Sequence, residues 1–125
     1  MKLEFLASGS SDCPLIRLYE FSCAEAQNLR ELVKSLSNGS QKSVALDEQP
    51  GIEPIQGCRF TLRLGELDQG VRQRGRSSFE CILTSSGWDN IEGLLGPFCE
   101  SDSAGFQWLT NTGNISLLLS RNGTW

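Results

Sequence analysis

Residues 22–39 read SCAEAQNLRELVKSLSNG and contain a complete set of helix signals. Ser22 and Glu25 match a capping box, in which each side chain accepts a hydrogen bond from the other residue's backbone amide. The apolar residues that follow recur every three or four positions and form one stripe: Ala26, Leu29, Leu32, Val33 and Leu36. Gly39 suits the left-handed position after a helix end. The stretch therefore predicts a helix over Cys23–Ser37 with one buried face.

The segments around this helix alternate between apolar and polar residues, which is typical of strands with one buried face. Two of them, Lys2–Ala7 and Pro14–Phe21, flank a Gly/Ser loop and predict a hairpin. The other predicted strands are Ser43–Asp47, Cys58–Leu64, Ser78–Thr84, Phe106–Thr110 and Ile115–Ser120.

A second, shorter helix is predicted over Gly87–Leu95, beginning near Ser86 and ending at Gly96-Pro97. Gly65–Arg76 is polar and rich in Gly and Arg, which favours a loop. The element order is β-β-α-β-β-β-α-β-β, without a visible repeat or linker. We expect one α+β domain over residues 1–125, with a mostly antiparallel sheet and both helices packed on one face.

The overall charge disfavours several classes of partner. The net charge is −4 and the isoelectric point is about 4.8, which argues for solubility and against binding to nucleic acids or anionic lipids. The start of the chain lacks the apolar core of a signal peptide, and no apolar run approaches the roughly 20 residues that span a bilayer. We therefore expect a cytoplasmic protein that does not enter membranes.

The chain contains no histidine, which excludes Ser-His-Asp and Cys-His catalysis and histidine-ligated metals. The five cysteines form no C-x-x-C pair, which favours free thiols over disulfides or zinc ligands. Glu100–Gly105 resembles the opening of a calcium loop, but Ala104 occupies a ligand position and Asn111 replaces the final glutamate. No glycine-rich nucleotide motif occurs. We expect neither a metal nor a cofactor.

Cys23 is the one candidate reactive thiol. It lies in the first turn of the predicted helix, where backbone amides favour a thiolate and lower the pKa of a cysteine. The alternative for Cys23 is a partly buried thiol without a role. Cys58 and Cys81 fall at inward strand positions, where a free cysteine behaves as a small hydrophobic residue.

Positive charge is concentrated in residues 59–76, which hold five bases and two acids. Arginine side chains there can bind carboxylates or phosphates, whereas the alternative is a solvated sheet face. If the first hairpin packs beside this strand, two residues of its second strand join the same outer face. The candidate partner surface then comprises Arg17, Tyr19, Arg59, Arg63, Arg72, Arg74 and Arg76.

These patterns favour a non-enzymatic domain that binds a protein partner, including a second copy of itself, through the arginine-bearing face and loop. One alternative is a small enzyme that uses carboxylates or thiols, with candidates Asp12, Cys13, Cys23, Asp89 and Glu100. Another is a structural subunit of a larger assembly, which requires an exposed apolar patch.

Overall fold

The computed structural model describes all residues from Met1 to Trp125. Helix α1 spans Cys23–Ser37, as predicted. The Ser22 Oγ accepts from the Glu25 amide at 3.2 Å, and a Glu25 carboxylate oxygen accepts from the Ser22 amide at 3.1 Å. The capping box therefore sets the start of the helix.

Nine strands form two sheets, where the sequence patterns predicted one. The strands are β1 (Lys2–Leu6), β2 (Leu15–Tyr19), β3 (Ser43–Ala45), β4 (Glu53–Pro54), β5 (Arg59–Leu64), β6 (Gly70–Gln73), β7 (Ser78–Leu83), β8 (Phe106–Thr110) and β9 (Ser116–Ser120). The first sheet has the order β4-β1-β2-β9-β8, and the second has the order β3-β5-β7-β6. Four strand pairs are antiparallel and three are parallel. The α+β class is confirmed, with mixed sheets.

The two halves of the chain share one topology. The first half runs β1-β2-α1-β3-β5, with β4 as an addition, and the second runs β6-β7-α2-β8-β9, where α2 spans Ser85–Glu100. Within each half, the first two strands pair antiparallel, and so do the last two. The second strand of each half lies parallel to the last strand of the other half. The two halves therefore repeat the same arrangement of paired strands, although the amino-acid sequence shows no repeat.

The helices pack against each other and close a core that both sheets share. Arg30 Nε lies 2.9 Å from the Glu92 carboxylate, which joins α1 to α2. Trp88 is 1% exposed, and its indole N–H donates to the Arg63 carbonyl at 2.9 Å. Leu18 of β2 and Phe60 of β5 face the same interior. Neither helix has the length and hydropathy of a bilayer-spanning segment.

Helix α2 does not end at Gly96-Pro97 as predicted, because Pro97 lies inside it. Proline lacks the N–H that would bond to the carbonyl of Gly93, and both residues are exposed, so water can replace that bond. The Arg121 guanidinium donates to the carbonyls of Phe98, at 2.9 Å, and Ser101. These bonds hold the last turn, where intrahelical donors are missing.

The predicted loop Gly65–Arg76 contains the edge strand β6. Val71 of β6 forms an antiparallel bridge with Ile115, and this bridge links the two sheets. The backbones approach closely there because Gly70 adopts a φ of +73° and Gly113 has no side chain. A Cβ atom on Gly113 would lie 2.5 Å from the Val71 carbonyl oxygen.

We expect Gly113→Ala to lower the free energy of unfolding by about 1–3 kcal/mol, because the new methyl group overpacks this seam. Gly93→Ala is the matched control, because Gly93 lies on the exposed side of α2 and the new methyl group would meet nothing within 4 Å beyond its own helix backbone and chain neighbours. This variant should stabilise the protein by about 0.5–1 kcal/mol. Urea denaturation measures both. Equal stability of the two variants would contradict the close approach.

Candidate functional site

Arginines occupy the outer face of the second sheet, which is the side opposite the core, and the adjoining turn between β6 and β7. On β5, Phe60 and Leu62 point inward and are buried, whereas Arg59 and Arg63 alternate with them and are exposed. The Arg59 amide donates to the Ser77 carbonyl at 2.7 Å, which ties this end of β5 to the β6–β7 hairpin. We call the exposed set the arginine face: Arg59, Arg63, Arg72, Arg74 and Arg76.

One buried carboxylate orients two of these arginines. Glu80 of β7 is 6% exposed, and its Oε2 lies 2.8 Å from Arg63 Nε, while its Oε1 accepts from Arg74 Nε. Burial alone would raise the pKa of Glu80, but the hydrogen bonds and charges of Arg74 and Arg63 outweigh it and hold that pKa below its usual range. Glu80 therefore stays ionised and fixes both guanidinium groups.

The other three arginines of the face have no carboxylate within 4.0 Å. Arg72 stands opposite Glu80 in the strand register but hydrogen-bonds instead to Gln69 Oε1, at 2.5 Å. Arg59 and Arg76 are exposed. These guanidinium groups keep donors for an external acceptor.

The prediction that Arg17 and Tyr19 share this face is wrong. Strand β2 pairs with β1 and β9, so both residues belong to the first sheet. Arg17 donates to Glu4 at 2.7 and 2.9 Å and to the Gly123 carbonyl at 2.7 Å, and it stacks on the Tyr19 ring. Burial, followed by the hydrogen bond to Glu4, raises the pKa of Tyr19. These groups satisfy one another within the fold.

The expectation of a lowered pKa at Cys23 is also wrong. The Asp102 carboxylate beside the thiol, with burial second, raises the pKa of Cys23. Asp102 also accepts from the Cys23 amide at 3.1 Å, so a carboxylate already occupies the helix N-terminus. Burial raises the pKa of Cys58 to about 11 and that of Cys81 to about 12.

The fold does not gather the candidate catalytic residues. Asp12 and Cys13 lie in the β1–β2 loop, whereas Asp89 and Glu100 lie near opposite ends of α2. None of the five principal cavities is lined by more than one of these residues or Cys23. No group of three or more carboxylates and thiols is arranged to hold a metal ion.

An aromatic groove of about 630 Å³ lies on the outer face of the first sheet. Phe106 and Trp108 of β8 line it together with Trp125, whose indole N–H donates to the Asp12 carboxylate at 3.0 Å. Phe106 is 48% exposed and Trp125 is 37% exposed. The sequence carried a signal for this groove, because Phe106 and Trp108 alternate with the buried Leu109.

Comparison of the chain with protein-family models, with curated proteins and with solved structures finds no match.

We expect Glu80→Gln to lower the free energy of unfolding by about 1–2 kcal/mol at neutral pH, because two arginines lose their charged acceptor. A lowered pKa stabilises the fold above the unfolded carboxyl pKa of about 4.3, and this contribution is lost as the pH falls through the folded value. The difference from wild type should therefore shrink below that pH in urea titrations. Glu66→Gln is the control, because Glu66 is exposed and forms no ion pair. If the stability difference between wild type and Glu80→Gln stayed constant with pH, the ion pairs of Glu80 with Arg63 and Arg74 would be contradicted.

We expect Cys23 to be alkylated by iodoacetamide faster than Cys58 and Cys81, because Cys23 is partly exposed whereas the other two are buried. Asp102→Asn should accelerate its alkylation at neutral pH, since the side chain that raises the pKa of Cys23 then loses its negative charge. Residue-resolved mass spectrometry follows the rates. An unchanged or slower rate in Asp102→Asn would show that Asp102 does not control the thiol.

Proposed function

We propose that this protein is a non-enzymatic interaction domain that binds an acidic partner protein through the arginine face. The observation that carries the proposal is the exposure of Arg59, Arg72 and Arg76 without a carboxylate, beside two arginines that Glu80 holds in place.

The charge distribution supports an acidic partner. Five arginines form the face, and Glu80 is the one carboxylate that bonds to any of them, although the chain as a whole carries a net charge of −4. Such a local positive field steers a negatively charged partner and weakens at high ionic strength. A second copy of this acidic chain is one such partner.

A protein partner fits the surroundings better than a nucleic acid. The exposed rings of Phe106 and Trp125 line the groove at the first sheet, so neither is placed to stack bases beside the arginine face. The five unpaired cysteines favour a reducing compartment such as the cytoplasm.

The test is binding to a fluorescein-labelled, glutamate-rich peptide, followed by fluorescence anisotropy. The double variant Arg59→Gln/Arg76→Gln should weaken binding at least about fivefold at low salt, because two charge-assisted contacts are lost. Wild-type affinity should fall as salt is added.

The matched control is Lys34→Gln/Lys42→Gln, which removes the same charge from exposed lysines outside the arginine face. This control should bind almost as well as wild type. Equal losses in both double variants would mean that only net charge matters, and the proposed recognition surface would then be refuted.

A further inference from the structure

A cleft of about 540 Å³ opens beside the arginine face, where β6 meets the segment that precedes β9. We propose that this cleft holds an extended acidic segment of the partner, with one of its carboxylates on Arg72. The inference rests on the function proposed above and adds where, and in what conformation, the partner binds.

The floor of the cleft is apolar and firmly held. Val71 and Ile115 are 1% and 5% exposed and belong to the core, and they are bridged to each other. Phe5 lies beside them and packs on Phe79, with ring centroids 4.4 Å apart. Because Val71 and Ile115 are already covered, the half-buried Phe5 ring is the apolar surface that a bound segment can contact without rearranging the core.

The rim of the cleft is polar, and no carboxylate lines it. Gln69, Gln73 and Asn114 provide amide groups that suit a peptide backbone. The Gln73 N–H groups already donate to the Gly75 and Arg76 carbonyls, so Gln73 offers its Oε1 as an acceptor. Arg72 contributes the only charge, and its guanidinium bonds to Gln69 Oε1 alone. An anionic side chain complements this rim, whereas a cationic one would be repelled.

The molecule already contains the kind of contact that we propose. Strand β1, the counterpart of β6, accepts the short parallel strand β4 on its edge, with Lys2 opposite Glu53 and Leu3 opposite Pro54. On β6, the corresponding connection reaches only Val71, through the single bridge to Ile115. The edge at Arg72 and Gln73 therefore stays uncovered, and edge strands readily pair with an added segment.

The experiment titrates ¹⁵N-labelled protein with the glutamate-rich peptide and follows the amide signals by NMR. We expect the largest shifts at Arg72, Gln73 and Asn114. Arg72→Gln should weaken binding about tenfold or more, which is the effect of losing a bidentate charged contact.

Asn114→Trp tests the cleft without changing the charge, because a bulky side chain on its rim blocks entry and should abolish most of the binding. Asn111→Trp is the control: it is exposed in the same loop but does not line the cleft, and it should bind like wild type.

Two results would overturn the inference, and they differ in what else they overturn. Wild-type affinity in Asn114→Trp, with shifts confined to Arg59, Arg63 and Arg76, would refute the cleft and leave the arginine face as the binding surface. Absence of peptide binding to the wild-type protein would refute both the cleft and the proposed function.

Discussion

Parallel pairing between distant strands holds this molecule together. Strand β2 lies beside β9, so that Leu18 and Leu119 become partners across most of the chain, and each is 1% exposed or less. Strands β5 and β7 make the equivalent pair in the second sheet. Because each sheet takes strands from both halves, neither half contains a complete sheet or a closed core. Such long-range contacts form at a large cost in chain entropy.

This interleaving leaves the two outer faces unequal, and it divides the arginines into two classes. On the first sheet, Arg17 donates hydrogen bonds to Glu4 and to the Gly123 carbonyl, and it stacks on the Tyr19 ring. Arg121 follows β9 and donates to the carbonyls of Phe21 and Phe98 at 3.1 and 2.9 Å. These arginines serve the fold. On the second sheet no chain segment provides comparable partners for Arg59 and Arg72, so their guanidinium groups keep donors for an external acceptor.

The features that could be predicted from the sequence are those whose signals lie within one short segment. Helix α1 was predictable to the residue because Ser22, Glu25 and its apolar stripe lie within one segment, and the outward alternation of Arg59 and Arg63 is equally local. The division into two sheets was not predictable, because strand order depends on partners far along the chain. The predicted position of Arg17 was wrong for the same reason, because β2 pairs with β9 near the end of the chain. The predicted end of α2 at Gly96-Pro97 was also wrong, because the distant Arg121 holds the last turn. The raised pKa of Cys23 likewise depends on Asp102, which local reasoning could not place beside it.

The division of the arginines is the central claim, and chemical modification tests it most directly. Native protein is treated with phenylglyoxal, and mass spectrometry follows the modification of each arginine. Arg59, Arg72 and Arg76 should be modified first. Arg17 and Arg121 should react last, because their side chains are only 21% and 9% exposed and their guanidinium groups are hydrogen-bonded within the fold. Modification of Arg121 as fast as that of Arg72 would contradict the account, because it would mean that the chain does not separate structural from available arginines.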